Sequence, residues 1–293
     1  MKPKRKTRRL KKRSFPSPGP EQCHPSMHRT GAKGCFPDIV WKRAAEQLAT
    51  RNAAVGGGGR IAVNADMKSI AAHLGVDPQH QRSLLEALPL SENEKRILAT
   101  KYLRPARPAE WKEDPDMWLD STNIASVMKQ YEETNPQFQF LGPYPIDFAA
   151  KDPYTEQKRC IIGEMCNLNL ANMKQLGKTK VGIVYNLDPH YKGGSHWVAN
   201  YIDIPRHKVY YFDSYGMDPP MQVRKFMQWL TIQDPAMRIA FNGRRFQFRD
   251  SECGMYCMYF LIRMLMGDGF KSFVRRSPPD TYMLDLRDYL FST

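Results

Sequence analysis

The chain has 293 residues, 42% of them hydrophobic and 11% aromatic. That is enough apolar material to close a core, which excludes a globally disordered protein. No run of about 18 apolar residues occurs, which excludes a membrane-spanning helix, and no apolar stretch follows the basic N-terminus as a secretory signal requires. The net charge of +14 is uneven: residues 1–14 hold nine Lys or Arg and no acid, so the rest carries only +5. Six cysteines (23, 35, 160, 166, 253, 257) are sparse. Without a secretory leader they are expected as reduced thiols in a cytosolic or nuclear setting.

In chain order, residues 1–35 read as a disordered basic arm. Lys4, Arg5, Lys6, Arg8, Arg9, Lys11, Lys12 and Arg13 form a like-charge block. Such a block binds DNA or another polyanion by releasing counterions, or serves as a nuclear-import signal; a solvated, solubilising tail is the plainer alternative. The proline-rich FPSPGPEQCHPS continues the arm. Residues 36–108 read as a helical N-terminal domain. FPDIVWKRAAEQLATR has apolar residues near helical spacing, GGGG at 56–59 is a flexible break, and MKSIAAHLGV and QRSLLEALPL are short helices. Ser91 followed by Glu94 looks like a capped helix start. RPARPAEW then breaks the pattern and marks a boundary.

Residues 109–293 differ in character. Ser121 or Thr122 is placed to cap a helix through NIASVMKQYEE. PQFQFLGPYPIDF is strand-like but interrupted by prolines, and TKVGIVYNL alternates as a strand does. HWVANYIDI, the turn PRHK and KVYYFDSYG read as a β-hairpin. MQVRKFMQWLTI is an amphipathic helix, RRFQF a short strand, and CGMYCMYFLIRMLMG a helix apolar nearly all round, hence buried. The fold class is therefore α+β, with strands grouped before a core helix.

The chemistry starts from Cys253, at the junction of the polar loop QFRDSE and the buried helix. The positive end of a helix favours the anionic, nucleophilic form of a sulfur placed there. Gly254 allows close approach of another chain. A lone cysteine in this position is more often plain core, and Cys257, one turn on, is read that way. A thiolate needs a partner. His190 sits in a loop and His207 in the hairpin turn, with His24, His28, His73 and His80 far upstream; His196, which opens a strand, is the best placed. Asp213, at the end of the second hairpin strand, is the candidate to orient it, although a turn-forming role is the simpler reading, and Asp203 looks structural. Gln247, six residues before Cys253, offers a side-chain amide for an oxyanion, with the Cys253 backbone N–H as a second donor.

None of these residues is decisive alone. In the order His196, Asp213, Gln247, Cys253, with gaps of 17 between the first two and six between the last two, they resemble the ubiquitin-like-protein proteases, the SUMO-protease and adenovirus-protease group of cysteine peptidases. Glu252 departs from the Asp that usually precedes the cysteine. WLDSTNIASVM at 118–128 is similar to a further family segment, with Asp120 and Ser121 departing from it. The resemblance implies a papain-like peptidase core of this type, a Cys253–His196–Asp213 triad with Gln247 at the oxyanion, and no metal or organic cofactor. It implies that Trp118 and Trp197 flank the scissile segment and form a narrow passage that only a Gly-Gly fits, with Gly254 a further substrate-binding residue, hence cleavage after Gly-Gly or similar small pairs.

In style the chain looks closest to the polyprotein-processing proteases of large cytoplasmic DNA viruses, such as African swine fever virus. That implies capsid or core polyprotein substrates, a location in the virion and host cytoplasm, and a DNA tether in the arm. The alternatives are a SUMO- or ubiquitin-like-specific isopeptidase, an acyltransferase of the same clan, and a non-enzymatic DNA-binding virion protein. Two lesser readings are a zinc site at Cys23, His24, His28 and Cys35, whose spacing fits no standard finger, and self-processing at the glycines before Arg60.

Overall fold

The computed structural model describes residues 15–27, 34–54, 64–152, 159–276 and 278–293. The basic block of residues 1–14, His28, the glycines at 56–59 and Arg60 lie outside the described residues. Four helices come first: α1 (Asp38–Ala54), α2 (Met67–Leu74), α3 (Gln81–Ala87) and α4 (Glu92–Tyr102). Val40, Trp41, Ala44 and Leu48 put one stripe of α1 inside, in one core with Ile70, Leu84, Leu85 and Leu103. Asp66 caps α2 by accepting from the Ser69 N–H, and Gly75 ends it at φ 67°, where a side chain is strained. Ser91 and Glu94 form the expected capping box on α4.

Residues 15–27, expected within a disordered arm, are instead a held strap. Buried hydroxyls and guanidinium groups take its carbonyls. Tyr131 donates to the Pro18 carbonyl, Tyr259 to Pro16 at 2.9 Å and Arg263 Nη1 to Ser17 at 2.9 Å. Further on, the Gln22 N–H donates to the Tyr289 carbonyl at 3.1 Å, and Cys23 pairs with Leu103 in an isolated β-bridge.

The reduced-thiol expectation is also corrected. Cys23 is bonded to Cys35 and Cys160 to Cys166, because the fold brings their Cα atoms to 5.2 and 6.5 Å. The first pairing removes both sulfurs from the zinc reading. The His24 ring is bonded to the Ser26 hydroxyl through Nδ1. Only Cys253 and Cys257 are free thiols.

The second half contains, in order, α5 (Ser121–Thr134), β1 (Phe138–Pro145), α6 (Gly163–Cys166), α7 (Leu170–Gln175), β2 (Lys180–Asn186), β3 (Trp197–Asp203), β4 (Lys208–Phe212), α8 (Met221–Gln233), β5 (Arg238–Phe241), α9 (Cys253–Leu265), α10 (Phe270–Arg275) and α11 (Asp280–Leu290). The five strands lie side by side in chain order. The two outer pairs, β1–β2 and β4–β5, are parallel and the two inner pairs are antiparallel. Every residue of β3 is buried, because it is central and covered on both faces. Period-2 alternation splits it: Trp197, Ala199 and Tyr201 enter the core shared with α5, α9 and α11, while Val198 and Ile202 enter the core shared with α8.

Two local expectations fail. RRFQF is irregular, and the strand is the preceding RIAF, whose β5 register pairs Val209 with Ile239. The α5 cap is Asp120 rather than Ser121 or Thr122: its carboxylate accepts from the Asn123 N–H at 2.7 Å, and the Asn123 side-chain oxygen accepts from the Asp120 N–H. Among the described residues no helix is long and apolar enough to cross a membrane.

Candidate active site

The antiparallel hairpin brings the first two site residues together. Ala199 pairs with Phe212, so the residue before β3 and the residue after β4 emerge at the same end of the sheet. These are His196 and Asp213, and His196 Nε2 lies 2.8 Å from Asp213 Oδ1. The same carboxylate oxygen accepts from the Tyr215 N–H at 2.8 Å. Asn242, just past β5, clasps the Asp213 main chain: its Oδ1 accepts from the Asp213 N–H at 3.0 Å and its Nδ2 donates to the Asp213 carbonyl at 2.7 Å.

Nε2 is committed to Asp213, which leaves the other ring nitrogen free of that bond, and Cys253 is close enough to be among the groups that raise the pKa of the ring. Burial opposes charge on this imidazole. The hydrogen bond to Asp213, the hydrogen bond to Cys253 and the charges of both outweigh it and raise the His196 pKa to about 9. Cys253 is the first residue of α9, so its backbone N–H has no intrahelical acceptor.

Gln247 lies in the loop before α9 and is fully buried. Its Oε1 accepts from the Ser214 hydroxyl at 2.7 Å, and its Nε2 donates to the Arg249 carbonyl at 2.6 Å. One Nε2 hydrogen is thereby used, and the amide is locked in orientation. The first anchor adjoins the site, since Ser214 follows Asp213.

Trp197 and Gly254 meet on the opposite flank. Trp197 Nε1 donates to the Leu119 carbonyl at 3.0 Å, which fixes its indole. A Cβ built on Gly254 would stand 3.3 Å from Ile124 Cδ1, Leu119 Cβ and Trp197 Cδ1. The glycine lets α9 approach the WL segment. Gly254→Ala should therefore cost about 1–3 kcal/mol by overpacking and lower peptide turnover with it. Urea unfolding read beside kinetics tests this, and a variant with wild-type stability would refute it. Trp118 is 45% exposed, a large indole left facing solvent beside its buried neighbour Leu119.

Two features escape the sequence reading. Tyr215 stacks on His196, with ring centroids 4.7 Å apart. Nothing in DSYG signals this beyond an aromatic two residues from Asp213. Second, Glu252 is buried against Arg287 of α11, with Arg287 Nη2 2.7 Å from Glu252 Oε1. Arg287 also donates from Nη1 to the Met117 carbonyl at 2.8 Å, and its guanidinium lies 4.4 Å from the Trp111 ring centroid. One guanidinium thus ties the residue before Cys253 to the residue before Trp118.

The alternatives are engaged elsewhere. His190 Nδ1 lies 2.7 Å from Asp147 and His207 Nδ1 2.7 Å from Asp234. Asp203 bonds Arg206 across the hairpin turn. Cys257 is core, and burial pushes its thiol well up. Among the described residues no group of three or more His, Cys, Asp or Glu side chains is disposed to hold a metal ion.

Comparison with known proteins covers the same region. Residues 118–290 match the Ulp1 protease family, C-terminal catalytic domain. The putative thiol protease R355 of Acanthamoeba polyphaga mimivirus is 32% identical over 167 residues, covering 55% of this chain and 52% of that protein. A cysteine protease of African swine fever virus (strain Badajoz 1971 Vero-adapted) is 30% identical over 176 residues, covering 58% and 59%. The chain thus spans little more than half the length of these relatives. The crystal structure of the selenomethionine form of the African swine fever virus protease superposes with a TM-score of 0.62 at 17% identity, covering 94% of this chain and 97% of that one, which shows a shared fold.

Proposed function

This chain belongs to the Ulp1 protease family, and we propose that it is a cysteine endopeptidase that cleaves after Gly-Gly-like pairs of small residues. The observation that carries the reading is His196 Nε2 2.8 Å from Asp213 Oδ1, with Cys253 at the head of α9 near enough to act on the same imidazole. An imidazole that keeps its proton to about pH 9 has an acid to give the leaving amine across the neutral range. The Cys253 sulfur attacks the scissile carbonyl, and the C–N bond breaks as the amine leaves with the proton of His196. His196, now neutral, takes a proton from water, whose oxygen cleaves the thioester and frees the thiolate. Asp213 orients the ring and balances its charge.

The second Nε2 hydrogen of Gln247 and the Cys253 N–H receive the oxyanion. Losing one such donor typically costs about 10²–10³ in rate. Trp197, set by Leu119 and beside Gly254, and exposed Trp118 flank the scissile segment and select glycine by leaving no room for a Cβ. No cofactor enters the scheme. The reading extends to polyprotein substrates bearing Gly-Gly-X sites and a place in the virion and host cytoplasm, and the charge of the basic block from Lys4 to Arg13 suits DNA as its ligand.

A fluorogenic panel ending in Gly-Gly, Ala-Gly and Gly-Ala tests the reading with wild type and Cys253→Ala. Turnover is expected after Gly-Gly, falling by at least tenfold when a Cβ is added (roughly the 1.4 kcal/mol that one tight contact costs), and vanishing in Cys253→Ala. Silence on peptides with cleavage of folded SUMO or ubiquitin fusions would instead select the isopeptidase. The name SUMO-1 cysteine protease, carried by the relative in African swine fever virus isolate Warthog, makes that the reading to test beside it.

A further inference from the structure

Two short segments bring five arginines to one rim of the site. Arg244, Arg245 and Arg249 belong to the loop between β5 and α9; Arg275 and Arg276 end α10 and follow it. Arg244 Nη1 donates to the Arg275 carbonyl at 3.2 Å, which joins the segments. All five residues are exposed, and among the described residues none has a carboxylate within 4.0 Å. Asp280 lies beside them, but its carboxylate accepts from the N–H groups of Phe248 and Arg249 at 3.0 and 3.1 Å and from the Tyr256 hydroxyl at 3.0 Å. Asp250 adds one exposed acid. Amid this charge stands Phe248, 71% exposed.

Concentrated like charge opposes a compact fold, and an exposed phenylalanine gains nothing from water. Arginines and aromatics together are the residue types enriched where proteins bind partners. The rim is also joined to the catalytic histidine. The Arg245 guanidinium lies 5.1 Å from the ring centroids of both Tyr215 and Phe248, its Nε donates to the Gln247 carbonyl at 2.6 Å, and Tyr215 stacks on His196. Whatever occupies the rim is continuous with whatever lies across Cys253.

We infer that this rim is a substrate subsite for an acidic stretch of polypeptide flanking the cleaved bond. Its carboxylates meet Arg244, Arg249, Arg275 and Arg276, and an apolar side chain meets Phe248. Guanidinium forks match carboxylates in pairs. A polynucleotide would be served by the charge but has no reason to sit against the nucleophile. The inference rests on the peptidase reading above.

The test uses labelled Gly-Gly peptides flanked on either side by an Asp/Glu run or by a neutral Ser/Asn run. Binding is read on the full-length Cys253→Ala protein, which needs no turnover, and cleavage on wild type. The acidic peptides should bind about tenfold more tightly at low salt, as several screened charge contacts together supply, and lose that advantage at high salt. Arg275→Glu with Arg276→Glu should erase the preference, bringing the ratio of acidic to neutral peptide affinity to about one or below; the same pair changed to Gln should weaken it without reversing charge. Equal affinity for acidic and neutral peptides would overturn the inference. So would binding of a DNA oligonucleotide through these arginines with no preference among peptides. Failure of wild type to cleave any peptide would strike the peptidase reading, while the binding arm still decides the surface.

Discussion

Asp213→Ala should lower kcat/KM for a Gly-Gly peptide by about 10⁴-fold, the scale seen when the orienting carboxylate of a hydrolytic triad is lost, whereas Asp213→Asn should keep a substantial part of the activity. The difference follows from one oxygen. Asp213 Oδ1 accepts from both His196 Nε2 and the Tyr215 N–H, and an amide oxygen at the same position can accept from both. What the amide lacks is the charge. The pH profile separates the two contributions. In wild type the imidazolium persists to about pH 9, so the rate should hold a plateau below that value and fall above it, as the acid that protonates the leaving amine is lost. Removing the carboxylate charge removes one of the causes that raise this pKa. The alkaline limb should therefore move to lower pH in Asp213→Asn, with the plateau kept but narrowed. A limb that stays at about pH 9 would mean that Asp213 only holds the ring in place.

This partition also explains why the candidate pair is legible in the sequence while its support is not. A hairpin is a local structure. Once HWVANYIDI and KVYYFDSYG are taken as its strands, the register places the residue before the first and the residue after the second at one end, so His196 and Asp213 meet by necessity. The buried helix is equally local: CGMYCMYFLIRMLMG has no polar face. The supports come from segments remote in the chain. Asn242 reaches Asp213 across 29 residues, Arg287 reaches Glu252 across 35, and Trp197 reaches the Leu119 carbonyl across 78. No periodicity encodes such pairings.

The strap is hidden from the sequence for a related reason. A proline-rich segment has the composition of a linker, and only the tertiary structure supplies Tyr131, Tyr259 and Arg263 to take its carbonyls. The disulfides are of the same kind, since proximity in the fold, not cysteine count, decides pairing. RRFQF has the aromatic alternation of a strand, but its residues are engaged elsewhere: Phe246 packs on Phe212 and Gln247 is bound to Ser214.

The largest expected loss of stability lies outside the His196–Asp213 pair. Arg287→Ala should destabilise the fold by about 3–5 kcal/mol, because it leaves the Glu252 carboxylate buried with its cation gone. Burial already holds the Glu252 carboxyl above the usual carboxylate range, even with Arg287 drawing it down. Without Arg287 the folded protein takes up that proton at still higher pH, whereas the unfolded chain takes it up only near the ordinary value of about 4.3. The sign follows: the folded variant gains relative to the unfolded chain as pH falls, so the deficit should shrink toward acid and be largest at neutral and alkaline pH. Replacing both partners, Glu252→Gln with Arg287→Met, removes the orphaned charge and should recover most of the stability. Activity should not follow stability. Arg287 Nη1 also holds the Met117 carbonyl, so the double variant should fold and still show a raised KM for Gly-Gly peptides, because the segment carrying Trp118 has lost its anchor. Urea unfolding at two pH values, read beside kcat and KM, separates these effects. A double variant that recovers neither stability nor kcat would show that the pair is needed for its packing rather than for charge compensation.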